Sequence, residues 1–348
     1  MGWILGRKYW QQAAGDSDRN YADICLKWDV ILNGPGYAGA FPSCVEMLRN
    51  DDWSSRKITD LKRFAVGISS GDIVVLRLGT ATVVGVGVVV GDYEWSELFD
   101  DVDGWDLQHV RRVKWLWKGI ESPKVFPTYT LKQGDTTQEL SSLVVKEWVS
   151  SLNLDFENHD LLKMMPLHNV EKVDFEHISE ALYDYGVANA SIEALGKEID
   201  ELIRIAKWYQ KFENPSEFET VAYLAVPMLR ALGWTPQKMA IEWNNVDVAL
   251  FQKLPRNNEH LAVVVEAKKK GNSCLTALSQ AQAYAEGRGN CQRLIVTDGL
   301  RYGVFIKKEG SFELYAYFNI TDLKSYYPIH ECFGVSEALI AMTPEWSY

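Results

Sequence analysis

Glu266 and Lys268 stand two residues apart where the apolar run LAVVVEAKKKG ends, and Asp247 opens the earlier apolar run DVALF. On a strand, an acid and a lysine at that spacing project from the same face. The pattern has an ordinary reading, a surface ion pair, and a chemical one. Phosphodiester hydrolysis needs a divalent ion to polarise the phosphate and lower the pKa of an attacking water. Hard Mg²⁺ is usually held by one or two carboxylates, with water and phosphate filling the remaining positions. A nearby ammonium orients the nucleophile or offsets charge developing on the phosphoryl oxygens. Eighteen residues separate the two acids. If the two runs form a hairpin around the loop QKLPRNNEH, both acids fall at the same open end of a sheet.

The surrounding pattern supplies elements that can position these groups. Phe218 to Leu232 has helical spacing and stops at Gly233. Pro227 inside it predicts a kink or a short first half. Strands are expected at Asp247 to Phe251, Leu261 to Ala267 and Arg293 to Thr297, with a helix over Leu275 to Glu286. An Asp298-Gly299 turn then leads into Tyr302 to Ile306. Upstream, from about Thr136 to Asn214, the pattern is helical. Ile192, Leu195, Ile199, Leu202, Ala206 and Tyr209 follow three-and-four spacing, which serves either packing within a helical connector or a seam between two copies.

The first 119 residues are rich in Trp, Gly and Val. Ile73 to Leu78 and Thr82 to Val90 flank Gly79-Thr80 as a hairpin, and Val110 to Trp117 alternates apolar with basic residues. The glycines of VVGVGVVVGDY are spaced GxGxxxG with no helical pattern after them. They mark a bulge or a bend better than a dinucleotide loop.

At 348 residues the chain is long enough for two or three domains. Its apolar fraction of 47% and charged fraction of 24% are those of a globular protein. No apolar run is long enough to span a membrane, and MGWILGRKYW lacks the features of a secretory signal. The five cysteines form no CxxC pair or Cys/His cluster, which argues against zinc or a disulfide framework and for reduced thiols in the cytoplasm. The six histidines show no metal-ligand spacing. The net charge of −11 speaks against a surface coated for phosphate binding, but it is unevenly spread. Residues 216–310 hold 12 Lys+Arg against 9 Asp+Glu, whereas residues 135–215 hold 7 against 16. The basic character gathers around Glu266 and Lys268.

The segment from about Phe212 to Lys308 resembles the PD-(D/E)xK nuclease fold, most closely the N-terminal nuclease domain of type I restriction motor subunits. The resemblance is carried, in order, by FETVAYLAVPMLRALGW, VDVALF, VVVEAKKKG, ALSQAQAYAE and LIVTDGLRYGVF. It implies that Asp247, Glu266 and an upstream helical acid, Glu219, hold Mg²⁺ or Mn²⁺, with Lys268 as the catalytic lysine. It implies that Gln280 and Tyr284 keep that lysine and the DNA backbone in place. Glu217 is an alternative to Glu219. Gln280 can instead cap or face solvent, and Tyr284 can be core. Val246 stands where the motif's name has proline, which weakens the match without touching the chemistry. Lys269 and Lys270 read as solvated or phosphate-contacting charges. No GxxxxGK[ST] motor motif accompanies the segment.

The stretches RKYWQQAAGDSDRNY, SSGDIVVLRLGTATVVGVGVVVGDYEW and RRVKWLW are similar to EVE and related PUA-like domains, small bent barrels that accept a flipped, often modified, base. That likeness makes Trp10, Trp28 and Trp115 candidates for an aromatic pocket, with Arg111, Arg112 and Lys114 for phosphate contact. Each tryptophan has barrel core as its plainer role.

The expected architecture is α+β. A small bent β-barrel of the PUA/EVE type (1–134) is followed by a helical connector (135–211) and an α/β nuclease fold with a central mixed sheet (212–348). The expected activity is Mg²⁺-dependent DNA endonucleolysis of the modification-dependent restriction or phage-defence type. A nuclease gated by a nucleotide, or a modified-nucleic-acid binding protein without catalysis, are the alternatives. The expected partners are DNA carrying a modified base and a second copy of the chain, with no membrane.

Overall fold

The computed structural model describes residues 6–157, 161–167, 170–212, 214–269, 273–288 and 290–347. His159, His168 and Lys270 lie outside them. The chain forms two compact units, residues 1–168 and 169–348.

The first unit comprises β1 (Tyr9–Ala13), α1 (Ala22–Trp28), β2 (Val30–Asn33), α2 (Val45–Asn50), α3 (Ser55–Lys62), β3 (Ile73–Leu78), β4 (Thr82–Trp95), β5 (His109–Lys118), β6 (Lys124–Val125), β7 (Thr137–Glu139) and α4 (Leu143–Ser151). Its strands make one curled, half-barrel sheet in the order β2-β5-β4-β3-β1-β7, with β6 added along β4. The long β4 drives the curl. Its pairing with β5 slips between Val86 and Gly87 and again between Val90 and Tyr93, and such bulges bend a strand and increase its twist. Gly85 and Gly87 leave room for close neighbours: a Cβ at Gly85 would come within 3.1 Å of the Trp115 ring, and one at Gly87 within 2.4 Å of the Lys114 carbonyl oxygen. The edge strands are tied through side chains. Asn33 of β2 donates to the Thr137 hydroxyl of β7 at 3.1 Å, and Lys57 bridges Asn33 and Asp60 at 2.8 and 2.9 Å.

The second unit comprises α5 (Phe175–Tyr185), α6 (Asn189–Phe212), α7 (Glu217–Thr220), α8 (Val226–Ala231), β8 (Met239–Trp243), β9 (Val246–Phe251), β10 (Leu261–Ala267), α9 (Leu278–Ala285), β11 (Arg293–Thr297), β12 (Arg301–Lys308), β13 (Ser311–Asn319), β14 (Tyr326–Tyr327), β15 (Cys332–Phe333) and α10 (Val335–Met342). Its mixed sheet runs β14-β15-β13-β12-β11-β10-β9-β8, with β10 and β11 parallel at the centre. Val263 to Val265 and Leu294 to Val296 are all buried, as strands covered on both faces should be.

The helical stretch 135–211 is divided between the units. Val145 and Val149 of α4 belong to a core of the first, whereas α5 and α6 belong to the second. Ile192, Leu195, Ile199 and Leu202 are buried in one cluster with Val221, Leu224 and the sheet. Those four therefore pack inside their own unit, as the connector reading has it, whereas Ala206 and Tyr209 at the end of the stripe are buried outside that cluster. All five cysteines are free and buried. No helix among the described residues is long and apolar enough to cross a membrane.

Candidate active site

The hairpin of β9 and β10 brings the two acids together. Val265 pairs with Val248 in the antiparallel ladder, so Glu266 and Asp247 follow as the next opposed pair, on one face of the sheet. The backbone N–H of Ala267 donates to Asp247 Oδ2 at 2.7 Å, fixing that carboxylate across the strand end. Lys268 continues past β10, its own N–H donating to the Thr297 carbonyl at 2.7 Å. Two residues beyond Glu266, its ammonium returns to the same face and donates to Glu266 Oε1 at 3.3 Å.

From there a chain of hydrogen bonds runs into α9. The Lys268 ammonium donates to Gln280 Oε1 at 2.7 Å, and Gln280 Nε2 donates to the Tyr284 hydroxyl at 3.2 Å. Gln280 and Tyr284 are four residues apart, hence neighbours on one helix face. Gln280 neither caps a helix nor faces water unpartnered.

The electrostatics are those of crowded, buried carboxylates. Burial first, then the charge of Asp247, pushes the Glu266 carboxyl up to about 7 against the pull of Lys268. Asp247 is raised by burial, opposed by the Ala267 N–H and by Lys268. Glu266 Oε2 is buried with no hydrogen-bond partner, an arrangement that costs stability unless something meets it.

Of the two acids on the upstream helix, it is Glu217 rather than Glu219 whose charge reaches these groups. Glu219 closes a capping box at the start of α7: its Oε2 accepts from the Ser216 N–H and hydroxyl, each at 2.8 Å. Those bonds hold its carboxyl below the ordinary range. Glu217 is raised by burial and by the charges of Asp247 and Glu242, and lowered by Lys268. Its field also reaches Glu266. The sequence carried a signal for this, since Ser216-Glu217-Phe218-Glu219 is an S-x-x-E capping signature.

The donor set fits a hard divalent cation. It consists of oxygens only, its two carboxyl groups crowd one another, and one buried oxygen lacks a partner. Among the described residues no group of three His, Cys, Asp or Glu side chains gathers as a metal cage. Two carboxylates completed by phosphate and water are the usual Mg²⁺ arrangement.

In the first unit the structure does not bring the three tryptophans together as a pocket lining. Trp28 and Trp115 are buried, and the Trp115 N–H donates to the Cys25 carbonyl at 3.0 Å. Trp10 is also buried, donating to Asp72 at 2.8 Å, but its edge borders a pocket of about 660 Å³ that Arg63 and Gln138 also line. Arg111 braces the carbonyls of Phe64 and Ala65, and Arg112 donates to the Asp29 carbonyl, so both guanidinium groups serve the fold.

The family model described as Domain of unknown function (DUF8426) matches residues 14–137, most of the first unit. No curated protein matches the chain.

Proposed function

We propose that the second unit is a divalent-metal-dependent phosphodiesterase of the PD-(D/E)xK kind acting on DNA. The observation that supports it is the bonded series Glu266, Lys268, Gln280 and Tyr284 beside Asp247 at one end of the central hairpin. Asp247 and Glu266 would hold Mg²⁺ or Mn²⁺, with Glu217 facing them from α7. What the cation supplies when bound is polarisation of a phosphate oxygen and a lowered pKa for an attacking water. Lys268 donates from the same face, so its ammonium orients the incoming water and offsets charge on the phosphoryl oxygens. Gln280 Oε1 accepts a hydrogen bond from that ammonium and so fixes where its other N–H bonds point. Tyr284 fixes Gln280.

The first unit supplies selectivity in this reading, as a reader of modified bases that confines cutting to foreign DNA. Trp10 with the pocket of about 660 Å³ at its edge is what supports it. Cleavage of plain and of cytosine-modified duplexes in Mg²⁺, with wild type and Lys268→Ala, tests both parts. Cutting of modified DNA alone, lost in the variant, is expected. Equal cutting of both duplexes removes the reader role, and cutting retained in Lys268→Ala removes the catalytic site.

A further inference from the structure

Large aromatic side chains are exposed on the second unit around α7. Trp208 and Phe212 end α6, Phe218 lies on α7, and Tyr223 sits in the wide turn that follows. They are 50, 61, 72 and 54% exposed. Such residues scattered singly need no explanation, but these are grouped. The Trp208 ring lies 5.1 Å from Tyr209 and 5.9 Å from Phe212. Trp208, Tyr209 and Tyr223 line a groove of about 420 Å³ with Arg204 and Ile205. Basic residues are interleaved with the rings: Arg204, Lys207 and Lys211 are exposed on the same stretch of helix, and the Lys211 ammonium lies 5.1 Å over Phe212. Glu201 pairs with Arg204 at 3.5 Å. The groove adjoins the helix that carries Glu217: the Tyr209 hydroxyl donates to Glu219 at 3.5 Å, and Glu219 lies on α7 with Glu217.

We propose that this groove is a stacking platform for the unpaired bases of a single-stranded stretch of the substrate. The inference rests on the phosphodiesterase reading for the identity of the ligand. Every base has an aromatic face, so rings of this kind hold a strand without choosing a sequence, while lysine and arginine follow its backbone. A closed duplex hides those faces. The occupant is therefore a single-stranded stretch, as at a frayed end or a gap.

Binding can be measured without cutting, in the Lys268→Ala chain with chelator present, so that failure of the hydrolytic reading leaves the result interpretable. Affinity for fluorescent oligo-dT and for a duplex of the same length is read by anisotropy. Adding Trp208→Ala and Tyr223→Ala should weaken oligo-dT binding by roughly ten-fold or more and leave duplex binding within about two-fold. Unchanged oligo-dT affinity overturns the proposal. So does a dimer, seen by sedimentation, that the same substitutions dissociate without affecting oligo-dT, because a second copy would then be the occupant. As a check that needs no substitution, 5-iodouracil in the oligonucleotide should photocrosslink to the peptides carrying Trp208 or Tyr223. Crosslinks confined to other peptides count against it.

Discussion

Glu266 has its carboxyl pushed up to about 7 by burial and by Asp247, and one of its oxygens has no partner. A group so placed weakens the fold, a cost that binding the proposed cation would offset measurably. In chelator, Glu266→Gln should melt at or above the wild-type temperature; added Mg²⁺ should raise the wild-type melting temperature and leave the variant unmoved. Lys268→Ala should lower the cleavage rate by about 10²-fold or more with an unchanged melting temperature. Gln280→Ala acts only through the lysine, so a smaller loss of about 10- to 100-fold is expected in the same assay. His109 gives a test of the first unit. Its Nε2–H donates to the Pro35 carbonyl at 2.9 Å and its Nδ1 accepts from Tyr93 at 2.7 Å, which keeps the ring neutral. Burial depresses it to about 4 from an ordinary 6.5. Between those values the unfolded chain binds the extra proton, so stability falls as pH drops from 6.5 toward 4. The loss is on the order of 3 kcal/mol if the whole shift is expressed. Urea unfolding should show that acid-side slope in the wild type and a shallower one in His109→Gln.

At the level of elements, α7 separates two acids that are two residues apart in the sequence. Ser216 caps the helix with Glu219, leaving Glu217 toward Asp247 and Lys268. Glu217→Gln should therefore reduce cleavage with little effect on melting, and Glu219→Gln the reverse; equal effects of both would contradict the division of roles. Pro227 shapes the next segment. Without an N–H it cannot bond back to Tyr223, and Val221–Ala225 widens into a π turn before α8 resumes. Leu202 shows how α6 is used. It is fully buried within its unit, so Leu202→Ala should cost about 2–5 kcal/mol by denaturant unfolding without changing the sedimentation coefficient of the native protein. Strands such as Leu261–Ala267 and Arg293–Thr297 were legible because each contains an unbroken apolar run, LAVVV and LIV, bounded by polar residues. The choice between Glu217 and Glu219 was not legible from helix periodicity, since it turns on which acid the cap takes. The fates of Trp28 and Trp115 were equally hidden, because a buried tryptophan and a base-stacking one look alike until their neighbours are known.

Over the whole molecule, the −11 net charge conceals a basic segment around the candidate active site. The proposed nucleic-acid binding through that segment would release counterions, so affinity should fall linearly on a log–log plot against salt. The two units divide the labour proposed here: a curled sheet with a pocket beside Trp10, and a mixed sheet whose central hairpin ends in Asp247, Glu266 and Lys268. The hairpin carries the claim on which the rest depends. Its most direct test is anomalous diffraction from crystals soaked in Mn²⁺. The account predicts a peak shared by the carboxylates of Asp247 and Glu266, absent in crystals of Glu266→Gln. Saturating Mn²⁺ with no density between those two side chains, or bound only elsewhere, would contradict it.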